Sequence, residues 1–179
     1  MDEQTLIHSL KNPEARKEAF EWLMHNYQRK VYSIVRKMVI DHEDADDITQ
    51  EVFIRIWKSL DNFRGDAKLF TWIYKITTNL CLNFLQKKKK KFWLSIQNIS
   101  KDLTQKLESS PYVEANEVQL KLQKALLKLP DKQRLVFNMK YYEDLKYEEI
   151  SEILGTSIGA LKASYHLAVK KIEESLQTD

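Results

Sequence analysis

Glycine and proline occur only three times each in 179 residues, and this scarcity constrains the fold more than any other feature of the chain. Tight β-turns draw heavily on both residues, whereas Lys, Glu, Leu and Gln, which are plentiful here, propagate helices. The expected fold class is therefore all-α, with helices joined by short connections. Hydrophobic residues make up 43% of the chain, enough to bury a core. Cys81 is the only cysteine, which excludes an internal disulfide and a CxxC metal knuckle and fits a reducing cytoplasm. The opening residues (Met1-Asp2-Glu3-Gln4) are polar and acidic, and no apolar run approaches membrane-spanning length, so neither a leader nor membrane insertion is expected.

Apolar spacing predicts where the helices lie. Ala19, Leu23, Tyr27, Val31, Ile34, Val35 and Met38 form a stripe within residues 15–38, and Ala45, Ile48, Val52, Ile56 and Leu60 form one within 44–60. Phe70, Ile73, Thr77, Leu80 and Phe84 mark a third helix over 68–88, after a loop at Asp61-Asn62-Phe63-Arg64-Gly65-Asp66. Three such helices can bury a small bundle core. Between Phe92 and Asn116 the periodicity dissolves, which predicts an interdomain linker; its Trp93, Leu94 and Ile96 suggest that part of it docks. A second domain then begins with a stripe at Val118, Leu122, Ala125, Leu126 and Leu129. Pro130 is expected as the first-turn proline of a short helix carrying Leu135, Val136 and Met139. Two small helical domains result, residues 1–91 and 117–179, with 92–116 between them.

Net charge is only +3, but its distribution is uneven. Asp41 to Glu51 holds six carboxylates and no Lys or Arg, whereas Asn62 to Lys91 holds eight cations against the lone Asp66. Opposite signs on adjacent segments point to two partners, one basic and one polyanionic.

Three segments carry the chemistry. Tyr147 to Lys162 has the grammar of a helix-turn-helix: apolar anchors at Ile150, Leu154 and Leu161, Gly155 for a left-handed turn, and Ser157 to cap the following helix. The second helix of such a unit can enter a major groove, although a plain helical hairpin would show similar stripes. The acidic segment from Asp44 serves, in its plainest use, to satisfy a helix dipole. His42 and Asp46 lie one turn apart, but no further His or Cys is near, so no metal is expected. In the third segment, Phe63, Arg64, Phe70, Thr71, Trp72, Tyr74, Lys75, Asn79, Asn83 and Lys87 to Lys91 interleave rings with cations and amides. That mixture suits single-stranded DNA, whose bases stack on rings while lysines follow the phosphates. Phe70, Ile73, Leu80 and Phe84 are assigned to the core; Arg64, Lys75 and Asn79 lie off that stripe. His8, His25, His42 and His166 are scattered and no glycine-rich phosphate loop exists, so neither catalysis nor a cofactor is expected.

In this order the segments resemble extracytoplasmic-function (ECF) sigma factors, a subgroup of the bacterial sigma-70 family, over nearly the whole chain. Asp46-Asp47-Ile48-Thr49-Gln50-Glu51-Val52-Phe53-Ile54-Arg55-Ile56-Trp57 is similar to the family's core-binding helix in region two. Phe63-Arg64-Gly65-Asp66, with Thr71-Trp72 through Asn79-Leu80, is similar to its promoter-melting segment, and Leu129 to Phe137 with Tyr147 to Ile172 is similar to region four. The resemblance implies a non-catalytic, cytoplasmic, monomeric subunit that directs RNA polymerase to promoters under the control of an anti-sigma factor. Asp46, Asp47, Gln50, Glu51 and Arg55 would face the β′ clamp coiled coil of the core enzyme. Trp72 would stand at the fork where the −10 element opens. Phe63, Arg64, Lys68, Thr71, Lys75, Asn79, Asn83 and Lys87 would hold the displaced strand and a base flipped from its stack. Ser157, Ala160, Lys162, Ser164, His166 and Lys170 would enter the −35 major groove while region four's other face meets the β flap. The chain departs from the family where Ser164, Leu167 and Val169 stand in place of frequent arginines, and Thr78 in place of another. Fewer cations imply a shallower salt dependence at −35, or reliance on DNA shape. Two other uses fit the residues alone: an autonomous helix-turn-helix regulator with the first domain as a dimerisation or sensing unit, and a metal-dependent nuclease built on the acidic cluster.

Overall fold

A computed structural model describes residues 2–92, 101, 104–107 and 117–178. It is all-α, with no strand among these residues. Four helices build the first domain: α1 (Glu3–Lys11), α2 (Arg16–Val39), α3 (His42–Ser59) and α4 (Leu69–Phe92). Four more build the second: α5 (Glu117–Leu127), α6 (Asp131–Tyr141), α7 (Tyr147–Leu154) and α8 (Ile158–Thr178). Most of the expected linker, including Trp93, Leu94 and Ile96, lies outside the described residues. None of the described helices is long and apolar enough to cross a membrane.

Helix α1 was not anticipated by the apolar pattern. Asp2 caps it by accepting from the Thr5 amide at 2.9 Å, and its only buried side chains, Leu6 and Leu10, lie one turn apart. A nine-residue helix of this kind draws its stability from packing rather than propensity. Helices α2 and α3 bury most of their expected stripes, Leu23, Val31, Ile34, Val35 and Met38 meeting Ala45, Val52 and Ile56. Helix α4 turns Leu69, Ile73 and Tyr74 into the core, whereas Phe70, Leu80 and Phe84, assigned to it from the sequence, are only partly buried against it.

Helix α2 stops at Ile40, whose backbone adopts φ 66°, ψ −40° while the Asp41 amide donates to the Val39 carbonyl at 2.8 Å. This is a γ-turn of the rare, strained hand, occupied by a β-branched residue. The Ile40 side chain is buried with Leu107 and Leu127, so surroundings contributed by later parts of the chain hold the turn in place.

In the second domain Pro130 stands one residue earlier than expected, at the N-cap of α6 with ψ 143°, and Asp131 opens the helix. Gly155 adopts the expected left-handed conformation, φ 63°, ψ 30°, between α7 and α8. The Ser157 hydroxyl accepts from the Ala160 amide at 3.3 Å, capping α8.

The two domains pack together. One buried cluster runs from α2, α3 and α4 into Leu135, Val136, Met139, Leu145, Ile150, Ile153 and Leu161 of the second domain. Polar contacts line the same junction: Arg134 to the Met38 carbonyl (2.9 Å), Lys37 to Glu143 (2.8 Å) and Lys89 to Asp131 (2.5 Å).

Candidate functional site

Helix α3 begins at Asp41, whose side chain accepts from the Asp44 amide at 3.0 Å and from Lys106 Nζ at 2.9 Å. The amide first, and Lys106 after it, hold the Asp41 carboxyl below the usual carboxylate range. Asp44 is engaged as well, by Lys88 of α4 at 3.0 Å. Asp46 meets His42 at 3.4 Å, and the other ring nitrogen of His42 lies 2.7 Å from the Tyr32 hydroxyl. Among the described residues no group of three His, Cys, Asp or Glu could hold a metal ion. Asp47 and Gln50 are exposed, and Glu51 accepts from the exposed Arg55 at 2.9 Å.

Ile54 and Trp57 continue the same helix face, 46% and 42% exposed. Positions 47, 50, 51, 54 and 57 fall on one side of a helix, so carboxylates give way to an apolar patch along a single stripe. The Trp57 ring leans on Phe20 at 4.9 Å and is held in place. Sequence reasoning missed Ile54 and Trp57 as candidates. The signal was present, since neither belongs to the buried stripe of Ala45, Ile48, Val52 and Ile56.

The loop before α4 opens with a 3-10 turn, Leu60–Asn62, closed by the Phe63 amide donating to Leu60 at 3.1 Å. Gly65 takes φ 80° at the loop's apex. Asn62 to Ala67, together with Trp72, line a pocket of about 320 Å³. Phe63 and Thr71, expected at the strand-binding surface, are instead buried, 6% and 3% exposed. Phe63 braces Trp72 from beneath, ring centres 4.7 Å apart. Thr71 turns into the bundle on the helix face it shares with the buried Tyr74 and Thr78.

Beyond the half-buried Trp72, Lys75, Asn79, Asn83 and Lys87 recur every fourth residue and are all exposed. They form one ridge which, counted from Trp72, is about 22 Å long. Arg64 and Lys68 stand exposed at its head, beside the pocket. The lysine run divides: Lys88 and Lys89 are spent on Asp44 and Asp131, while Lys87 and Lys90 face solvent. On the opposite face of α4, Thr77, Cys81 and Leu85 are fully covered. Burial pushes the Cys81 thiol up to about 12 and raises the Tyr74 hydroxyl as well.

Helices α7 and α8 form the helix-turn-helix. The Lys146 amide donates to Glu149 at 2.9 Å to start α7, which buries Ile150 and Ile153. Ser157, Ala160, Lys162, His166 and Lys170 are exposed along α8, and Ser164 is half-buried. Lys162 lies over the Tyr147 ring at 5.8 Å, and Lys170 comes within 4.0 Å of Glu174. Leu167 is exposed on the same helix, an apolar residue on an otherwise polar, cationic face.

Comparison with known proteins places these surfaces in context. The family description Sigma-70 region 2 matches residues 23–91, and Sigma-70, region 4 matches residues 119–172. The chain is 31% identical over 168 residues to the ECF RNA polymerase sigma factor SigW of Bacillus subtilis, covering 89% of this chain and 90% of that protein. It is 26% identical over 185 residues to the ECF RNA polymerase sigma-E factor of Escherichia coli K12, covering 99% and 95%. Two solved structures share the fold. CnrH, in complex with the cytosolic domain of CnrY, superposes with a TM-score of 0.71 at 20% identity over 99% of this chain and 98% of that one. The sigma factor RpoE of Bartonella quintana, in complex with the anti-sigma factor NepR, gives 0.68 at 19% identity over 89% and 98%.

Proposed function

Because this chain belongs to the extracytoplasmic-function subgroup of the sigma-70 family of RNA polymerase sigma factors, we propose that it joins core RNA polymerase through α3, opens the −10 element along α4 and reads the −35 element with α8. The ridge on α4 carries the reading. Rings, amides and cations at Trp72, Lys75, Asn79, Asn83 and Lys87 share one solvent-facing line, the arrangement a single strand needs for stacking and phosphate contact. Phe63 acts from below, fixing the tilt of Trp72, while Arg64 and Lys68 stand where a flipped base would enter the pocket.

On α3, Asp47, Gln50 and Glu51 supply the acidic half of a contact with the basic β′ clamp coiled coil, with Asp46 and Arg55 at its margins. Ile54 and Trp57 add an apolar anchor of the kind that dominates protein interfaces. On α8, Ser157, Ala160, Lys162, Ser164, His166 and Lys170 face the −35 groove, and the opposite side of the second domain meets the β flap. Residues 1–91 and 117–179 are the two working domains and 92–116 the tether between them.

The packed arrangement bears on control. A packed chain of 179 residues has a radius of gyration of about 16 Å, whereas the −10 and −35 boxes lie roughly 85 Å apart along the duplex. Both DNA-facing helices can be engaged only after the domains part. An anti-sigma factor that favours the packed state would therefore silence the protein in the cytoplasm. Such a partner is consistent with the complexes in which both structural neighbours were solved.

Reconstitution with purified core enzyme tests the proposal. The chain should direct run-off transcription from discrete sites on genomic fragments, and Asp47→Lys/Glu51→Lys should abolish co-elution with core. Unchanged co-elution of that variant would remove α3 from the contact.

A further inference from the structure

The loop that lines the Trp72 pocket is held at both feet by residues lying before the part of the chain that matches Sigma-70 region 2, which begins at residue 23. Helix α4 has no acidic residue in its own first turn. Its Leu69 amide instead donates to Glu3 Oε1 of α1 at 2.8 Å, a carboxylate placed 66 residues upstream against the positive end of the helix. At the other foot, Arg16 Nη2 donates to Asp61 Oδ1 at 2.6 Å within the 3-10 turn. The same guanidinium donates through Nε to the Leu10 carbonyl at 3.0 Å, which locks the end of α1 to the start of α2.

Between these feet the loop's own anchor is Phe63, buried against Trp72. Arg64 to Lys68 are exposed, and Gly65 adopts a conformation favoured only by glycine. Trp72 lies in the first turn of α4, so the acceptor at Leu69 also sets where its ring stands.

We propose that Glu3 and Arg16 are positioning residues for −10 strand capture: the α1–α2 corner clasps both ends of the 61–69 loop and holds the pocket and Trp72 ready before DNA arrives. Neither residue touches the strand. Their effect is to reduce the ordering cost that a slack loop would bring to binding. The inference rests on the reading of α4 as the strand-binding helix, and its test separates the two.

Holoenzyme is reconstituted with the full chain on a promoter recovered by run-off transcription, and affinity is measured for a fork probe carrying that promoter's single-stranded −10 segment. Glu3→Ala and Arg16→Ala should each weaken fork binding roughly five- to tenfold, the range a lost helix cap produces. Core affinity and binding to the −35 duplex should stay at the wild-type level. Glu3→Gln, which keeps an acceptor but no charge, should fall between wild type and Glu3→Ala. Asp61→Arg introduced into Arg16→Asp should recover part of the loss through the reversed ion pair. Wild-type fork affinity in both alanine variants, with Trp72→Ala impaired, would overturn the clasp and leave the reading of α4 standing. Equal loss of core binding and fork binding would also overturn it, since the corner would then only stabilise the domain. If Trp72→Ala binds the fork as wild type does, the reading of α4 falls, and the clasp with it.

Discussion

The Arg134 guanidinium donates to the Met38 carbonyl at 2.9 Å, joining α6 to the end of α2 across the junction of the two domains. The side chain is 2% exposed, and burial lowers its pKa from the ordinary arginine value. Its nearest carboxylate, Asp131 at 3.6 Å, is shared with Lys89, and neither Arg134 Nε nor Asn138 Oδ1 has a partner among the described residues. A buried charge paired this incompletely holds a contact weakly, because water would solvate it better. The apolar cluster across the junction, rather than this hydrogen bond, supplies most of what holds it closed.

Replacing Arg134 with Met, of similar length but uncharged, should leave the stability of the packed state nearly unchanged, the relief of an incompletely paired buried charge offsetting the lost Met38 hydrogen bond. Thermal unfolding measures this directly. A fall of several kcal/mol would show instead that the Met38 hydrogen bond stabilises the junction outright.

Asp41→Ala should cost about 1 kcal/mol through loss of the α3 cap. The folded carboxyl titrates below its ordinary value of 3.8, so its contribution is complete above that value and is lost as the pH falls through the folded one. The gap in urea midpoint between wild type and Asp41→Ala should therefore be widest near neutrality and close on acidification. A gap constant with pH would assign the effect to packing.

Cys81 has the opposite sign. Its thiol, raised by burial from 9.0 to about 12, contributes stability that is complete below the unfolded value and is lost as the pH rises through the folded one. Iodoacetamide at pH 8.5 should barely label the native chain, and labelling should accelerate in Arg134→Glu, which breaks the junction that Cys81 faces. Rapid labelling of the wild-type chain would mean that the junction is open in solution.

Helix α8 presents Lys162, His166 and Lys170 to solvent and Leu167 beside them. Lys162→Ala should reduce the slope of log affinity against log salt for the −35 duplex by about 0.9, and Leu167→Arg should steepen it by a similar amount. Filter-binding titrations at several salt concentrations give both slopes. Slopes unchanged in both variants would take this face out of the groove.

Much of the fold was legible because helical periodicity is a local property. The stripes of α2 and α3, the left-handed Gly155 and the Ser157 cap depend on residues within a few positions of one another. The sigma-factor family was legible for a related reason, since its motifs are short segments whose order the chain preserves. Helix α1 escaped because two buried leucines are too few to stand out as a pattern. Phe63 and Thr71 were placed on the surface because residue type does not reveal which side of a ring or hydroxyl a loop will turn inward.

By itself, the sequence determined which of the longer striped segments are helical, where two of them turn, and which carry opposite charge. Tertiary structure alone decided which of those charges remain available. It paired Asp44 with Lys88 and Lys89 with Asp131, set Glu3 under α4, and left Asp47, Lys75 and Asn79 exposed. The physical reason is distance along the chain: a helix is closed by bonds four residues apart, whereas these partners lie 42 to 66 residues apart and meet only once the helices have packed.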